Sequence, residues 1–230
     1  MTKLIDLLDQ LNHRRTFGFM DDFDSYTDAE RWTKVLANSG SASVSDGAGG
    51  ILTIAPSDNT PAANDESYVH TTNALFQFAA NKPLLFEAAV QFTEADTNNA
   101  NIVVGLMDGV AAGALADGNA GPKSSYSGMV FFKNGGTTVW SCQTSVGGTQ
   151  STTVTSKPAG GAKYQTLTGQ WQPISGTQAE AAFFIDGLLV ARQLFTFTGA
   201  VAMQLCAGVK NGGANMETLD VDYLAAYQLR

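Results

Sequence analysis

Ala181-Ala182-Phe183-Phe184-Ile185-Asp186-Gly187-Leu188-Leu189-Val190-Ala191-Arg192 is the stretch that decides the fold. Two apolar, β-prone runs flank Asp186-Gly187. A two-residue type I′ turn needs positive φ at both central positions, and Asp-Gly is among the pairs that supply it, so the stretch predicts a β-hairpin. Working outward, Leu84, Phe86, Ala88, Val90 and Phe92 alternate with Leu85, Glu87, Ala89 and Gln91. One face of that segment is wholly apolar and the other mixed, as in a sheet buried on one side.

Further strands are expected over 41–44, 51–55, 66–72, 101–107, 126–133, 137–146, 149–155, 164–172, 202–210 and 217–228. They are separated by turns such as Asn134-Gly135-Gly136, Gly147-Gly148 and Asn211-Gly212-Gly213. In the last strand, Leu219, Val221 and Tyr223 are expected on one face and Asp220 and Asp222 on the other. About a dozen strands with no helical run between them indicate an all-β antiparallel sandwich or jelly roll. Residues 108–123 are Gly- and Ala-rich without a period and are expected to form a long surface loop.

Before the strands, Leu4, Leu7, Leu8 and Leu11 recur at helical spacing, Thr2 stands in capping position, and His13, Arg14 and Arg15 suit the negative end of a helix dipole. Residues 1–18 therefore read as a short helical arm, and 19–230 as the sandwich domain. A helix this short is marginal alone and must dock, either on its own domain or on another subunit. Leu4, Leu7, Leu8, Leu11, Arg14 and Arg15 are the candidate partner-binding residues.

Charge narrows the function. The 230 residues carry a formal net charge of −8, which repels phosphate backbones, so no nucleic-acid partner is expected. No run is apolar enough to span a membrane, and Asp6 and Asp9 interrupt any leader-like core, so the chain is expected to be made in the cytoplasm. Cys142 and Cys206 are expected as buried free thiols. His13 and His70 have no metal spacing, and no nucleophile elbow accompanies His70.

Carbohydrate hydrolysis needs two carboxylates about 5–9 Å apart, which on one strand means acids at alternating positions. Glu87 has Ala89 and Gln91 where partners would fall, and Leu224 follows Asp220 and Asp222. Neither Asp96-Thr97-Asn98-Asn99 nor Asp58-Asn59 has the dense spacing of a calcium loop. Trp140 and Trp171 are candidates for sugar stacking, with core packing as the alternative. Asp21-Asp22 is expected to be a solvated pair at a strand edge. The expectation is thus no catalytic residue, no metal and no cofactor.

The Phe-Phe-Ile-Asp-Gly-Leu-Leu-Val-Ala hairpin, the opening Asp21-Asp22-Phe23 followed by Trp32, and the closing Leu219-Asp220-Val221-Asp222-Tyr223-Leu224 resemble concanavalin A-like lectin and glucanase jelly rolls over roughly residues 19–230. The chain lacks the Glu-x-Asp-x-Glu pattern of the glucanase members. With its short arm it looks most like the jelly-roll structural proteins of tailed bacteriophages. That resemblance implies a non-enzymatic capsid decoration (cement) protein on the virion surface, a homotrimer whose partner is the major capsid protein. The alternatives are a glycan-binding, lectin-like module and a divergent glycoside hydrolase.

Overall fold

The computed structural model describes residues 16–26, 28–45, 49–58, 60–94, 99–161 and 163–230. Leu4, Leu7, Leu8, Leu11, Arg14 and Arg15, with the rest of the expected arm up to residue 15, lie outside the described residues, as do Asp96, Thr97, Asn98 and Asn59.

Among the described residues, sixteen strands form two antiparallel sheets. The first six are β1 (Thr16–Asp21), β2 (Trp32–Leu36), β3 (Ser41–Ser45), β4 (Ile51–Ala55), β5 (Glu66–Thr71) and β6 (Phe76–Phe78). Then come β7 (Leu84–Thr93), β8 (Ala100–Met107), β9 (Gly128–Lys133), β10 (Val139–Val146) and β11 (Thr149–Pro158). The last five are β12 (Gln165–Pro173), β13 (Gln178–Ile185), β14 (Leu188–Thr196), β15 (Val201–Asn211) and β16 (Thr218–Leu229). Sheet A runs β14-β13-β12-β7-β16-β4-β3, with β1 also on β16. Sheet B runs β11-β10-β9-β8-β15-β5-β2, with β6 also on β15. Among the described residues there is no helix.

The opening hairpin forms as the sequence requires. Asp186 (φ 51°) and Gly187 (φ 73°) both adopt positive φ between β13 and β14. Asp186 Oδ1 also accepts from the Thr166 backbone N–H at 2.9 Å, tying the turn to β12. Leu84, Phe86, Ala88, Val90 and Phe92 point into the main core, where Phe86 meets Phe131 and Phe131 meets Phe183 edge to face. Cys142 and Cys206 are buried free thiols. Burial raises both, Cys206 to about 12.

Four expectations need correction. First, β2 and β6 are strands that the sequence does not announce; β6 is three residues long, too short to show a period. Second, Asp21 is buried, not solvated. Its Oδ2 accepts from Trp32 Nε1 at 2.8 Å, its Oδ1 accepts from the Phe23 N–H at 3.0 Å, and Arg31 pairs with it at 3.4 Å. Third, β16 carries a bulge between Val221 and Tyr223, so Tyr223 pairs with Ala89 and leaves the face of Leu219 and Val221.

Fourth, the segment after β8 is no free surface loop. Val110, Ala114, Leu115 and Tyr126 are buried against Tyr68, Val103, Met107, Val130, Phe132 and Cys206, forming a second, smaller core on the outer face of sheet B. Two residues paired in register, Glu66 on β5 and Lys210 on β15, hold it down. Lys210 Nζ donates to Leu115 O at 2.9 Å, Asp117 Oδ1 at 2.5 Å and Glu66 Oε2 at 3.3 Å. Glu66 Oε1 accepts from the Gly113 N–H at 2.7 Å, and Tyr68 Oη donates to Glu66 Oε2 at 2.6 Å. The outer face of sheet B is therefore covered over these residues, and the open groove lies on sheet A.

Candidate functional site: the outer face of sheet A

The strand register writes out this face row by row, because only alternate residues share it. One row crosses the sheet as Arg192, Ala182, Gln170, Leu85, Tyr227 and Gly18. The next runs Leu189, Phe184, Thr168, Glu87, Ala225 and Met20. A third holds Thr166, Ala89 and Tyr223. Small side chains at Ala182, Ala225, Ala89 and Gly18 alternate with polar and aromatic ones. Gly18 is required at its place: a Cβ there would come 2.6 Å from the Tyr227 ring, which lies across it. Over β7, β12, β13 and β14 the face sinks into a groove of about 760 Å³.

Glu87 is the centre of the floor. Its Oε2 accepts from Thr168 Oγ1 and its Oε1 from Tyr223 Oη, each at 2.9 Å. Each oxygen keeps acceptor capacity, since an ionised carboxylate offers about four lone-pair sites. Burial, then the hydrogen bond to Glu87 and its charge, push the Tyr223 phenol well above the ordinary tyrosine value, against a smaller opposing bond with Thr166. Tyr223 is thus held as a neutral donor.

Arg192 pairs with Glu180 on the rim, and Asp186 closes the turn end. By strand spacing, the Asp186 and Glu180 backbones lie roughly 12 and 17 Å from that of Glu87. The apolar side of the groove is Phe184, Leu188 and Leu189; the two leucines are 56% and 48% exposed.

Trp140 and Trp171, the sequence candidates for sugar stacking, are core residues. Trp140 meets Phe92 edge to face and bonds Gln165, and Trp171 packs against Phe78 and Phe197. Glu87 was visible in the sequence, but Tyr223 was hidden by the bulge at Asp222. Thr53 Oγ1 donates to Asp220 at 2.7 Å. Asp58 accepts from the Thr60 N–H in a local turn. Among the described residues no group of three or more His, Cys, Asp or Glu is placed to hold a metal.

No family model matches the chain, and no curated protein matches its sequence. Solved structures do match its shape. The endo-1,3-β-glucanase from Streptomyces sioyaensis superposes with a TM-score of 0.62 at 17% identity, covering 92% of this chain and 95% of that one. The fold is concanavalin A-like. The endo-β-1,4-glucuronan lyase from Trichoderma reesei shares this concanavalin A-like shape with a TM-score of 0.63 at 13% identity, covering 90% of this chain and 94% of that one. The Emp47p carbohydrate recognition domain matches with a TM-score of 0.58 at 10% identity, covering 94% and 97%. At these identities the likeness shows the fold alone. The virion assignment rests on the sequence resemblance.

Proposed function

We propose that the protein binds glycan chains in the groove on the outer face of sheet A and does not cleave them. The observation that carries this reading is the floor itself: Glu87 held by Thr168 and Tyr223, flanked by Gln170 in the adjoining row, beside an apolar wall of Phe184, Leu188 and Leu189. Hydroxyls, amides and a carboxylate are the partners that a sugar's hydroxyls require, and an apolar wall suits the C–H faces of its rings.

Two features argue against cleavage. A glycosidase needs a second carboxylate free to act across the sugar bond from the first, whereas the other carboxylates of this groove are engaged elsewhere, Asp186 with Thr166 and Glu180 with Arg192. A lyase base must give up its proton near neutral pH, whereas Tyr223 is driven the other way. The test is affinity electrophoresis and titration against a panel of soluble polysaccharides. Tyr223→Phe and Gln170→Ala each weaken binding about tenfold, the equivalent of one hydrogen bond to a charged or buried partner, and no reducing ends or unsaturated products accumulate. Binding unchanged in both variants refutes the reading.

A second reading has its own observation. Leu188, Leu189 and Leu194, the last 71% exposed, stand out on either side of Arg192 along the edge strand β14, and exposed leucines there suit a contact surface in an assembly. This is the capsid-decoration reading, with residues 1–15 as the arm; the cut falls at 15 because Thr16 already pairs with Leu229. Removing residues 1–15 leaves the β-type circular dichroism and melting temperature nearly unchanged and abolishes multimers in sedimentation. A truncated protein with an unchanged sedimentation coefficient refutes the assembly role.

A further inference from the structure

We propose that the groove on sheet A admits only glycans without negative charge, and that Glu87 is the residue that enforces this. The inference rests on the glycan-binding reading and adds the chemical class of the ligand. Among the described residues, three carboxylates, Glu87, Glu180 and Asp186, line the groove against a single cation, Arg192. That cation is already engaged by Glu180. Glu87 is held by two hydroxyls, which donate hydrogen bonds but bring no positive charge. Lys82 and Lys163 sit in the turns that precede β7 and β12 and are not part of the lining.

Uronate and sulfate groups are held best by a guanidinium or ammonium facing them, and the floor of this groove presents the opposite charge. Asp220 and Asp222 carry the same sign farther along β16, close enough to act electrostatically on Tyr164. An uncharged sugar meets no such penalty. Its hydroxyls donate to the free lone pairs of Glu87 in charge-assisted bonds, and the Gln170 amide can serve as donor or acceptor. At the short range of a floor contact, repulsion between Glu87 and a sugar carboxylate amounts to about tenfold or more in affinity.

Native gels containing laminarin, xyloglucan or galactomannan are compared with gels containing alginate or polygalacturonate. The native protein is retarded by at least one neutral gel and by neither acidic one. Glu87→Gln keeps the shape of the side chain and removes the charge. It raises retardation in the acidic gels about tenfold or more and weakens it in the neutral gel. Native retardation by an acidic gel equal to that by the neutral ones overturns the charge rule and leaves the glycan reading standing. So does an acidic gel that still fails to retard Glu87→Gln while the neutral gel retards it as before. No retardation by any of the five gels overturns both.

Discussion

Lys210→Met lowers the stability of the protein by about 3–5 kcal/mol, because it removes one partner of a buried ion pair and strands the other. Lys210 is 2% exposed and Glu66 is 6% exposed, and the pair lies directly across β15 and β5. Without the ammonium, the Glu66 carboxylate keeps the Tyr68 hydroxyl and the Gly113 N–H but loses its counter-charge. Leu115 O loses its donor at the same time. The segment that covers sheet B is thereby released, and the apolar cluster beneath it meets water. Urea denaturation gives the size of the loss. Thermal unfolding should fall by roughly 6–20 °C, at the 2–4 °C per kcal/mol expected for a chain of this length. Asp117→Asn is the control: its side chain is largely exposed, so the change costs less than about 1 kcal/mol. If Lys210→Met shifts stability no more than Asp117→Asn, the cluster does not hold the segment.

Trp32→Ala costs about as much, roughly 3–5 kcal/mol for emptying a buried aromatic site. The indole is fully buried, edge to face with Phe19 at 5.2 Å between centroids and tilted against Phe23 at 5.4 Å. It joins the sheets, since Asp21 ends β1 in sheet A and Trp32 opens β2 in sheet B. Trp32→Phe separates the two contributions. It keeps most of the ring and leaves Asp21 without its indole donor, at a cost of about 1–3 kcal/mol. Urea midpoints that place Trp32→Ala and Trp32→Phe together show that the hydrogen bond, and not the ring, dominates. A loss below about 1 kcal/mol for Trp32→Ala refutes the account.

The sequence was most legible where periodicity and turn chemistry act locally. The Asp186-Gly187 hairpin and the ten-residue alternation of β7 needed no distant partner to be read. The pairing of Asp21 with Trp32 was half legible: both residues belong to a motif that resembles the fold's opening, but a carboxylate beside a second carboxylate reads as solvated until its donor is seen. The site was less accessible. One extra residue in β16, Asp222, reverses the face of everything after it, and a strict two-residue period cannot anticipate that. The cover on sheet B was illegible for a related reason. Its Gly- and Ala-rich sequence contains few apolar anchors, and the groups that fix it, Glu66 and Lys210, lie in strands far away and are charged residues of a kind rarely buried.

Glu66 and Lys210 are 144 positions apart, and that separation sets an order of events during synthesis. At ribosomal rates of about 5–20 residues per second, Lys210 is added roughly 7–29 s after Glu66. From the addition of Phe132 to that of Lys210, roughly 4–16 s at the same rates, the cover over Val103, Val130 and Phe132 lacks its lysine anchor, and β8 lacks its neighbour β15. Closing so long a loop also carries a large entropic cost, which slows folding. The nascent chain therefore spends many seconds as a half-built sheet with an apolar face and an unpaired edge. Its yield should depend on how well chaperones shield that intermediate.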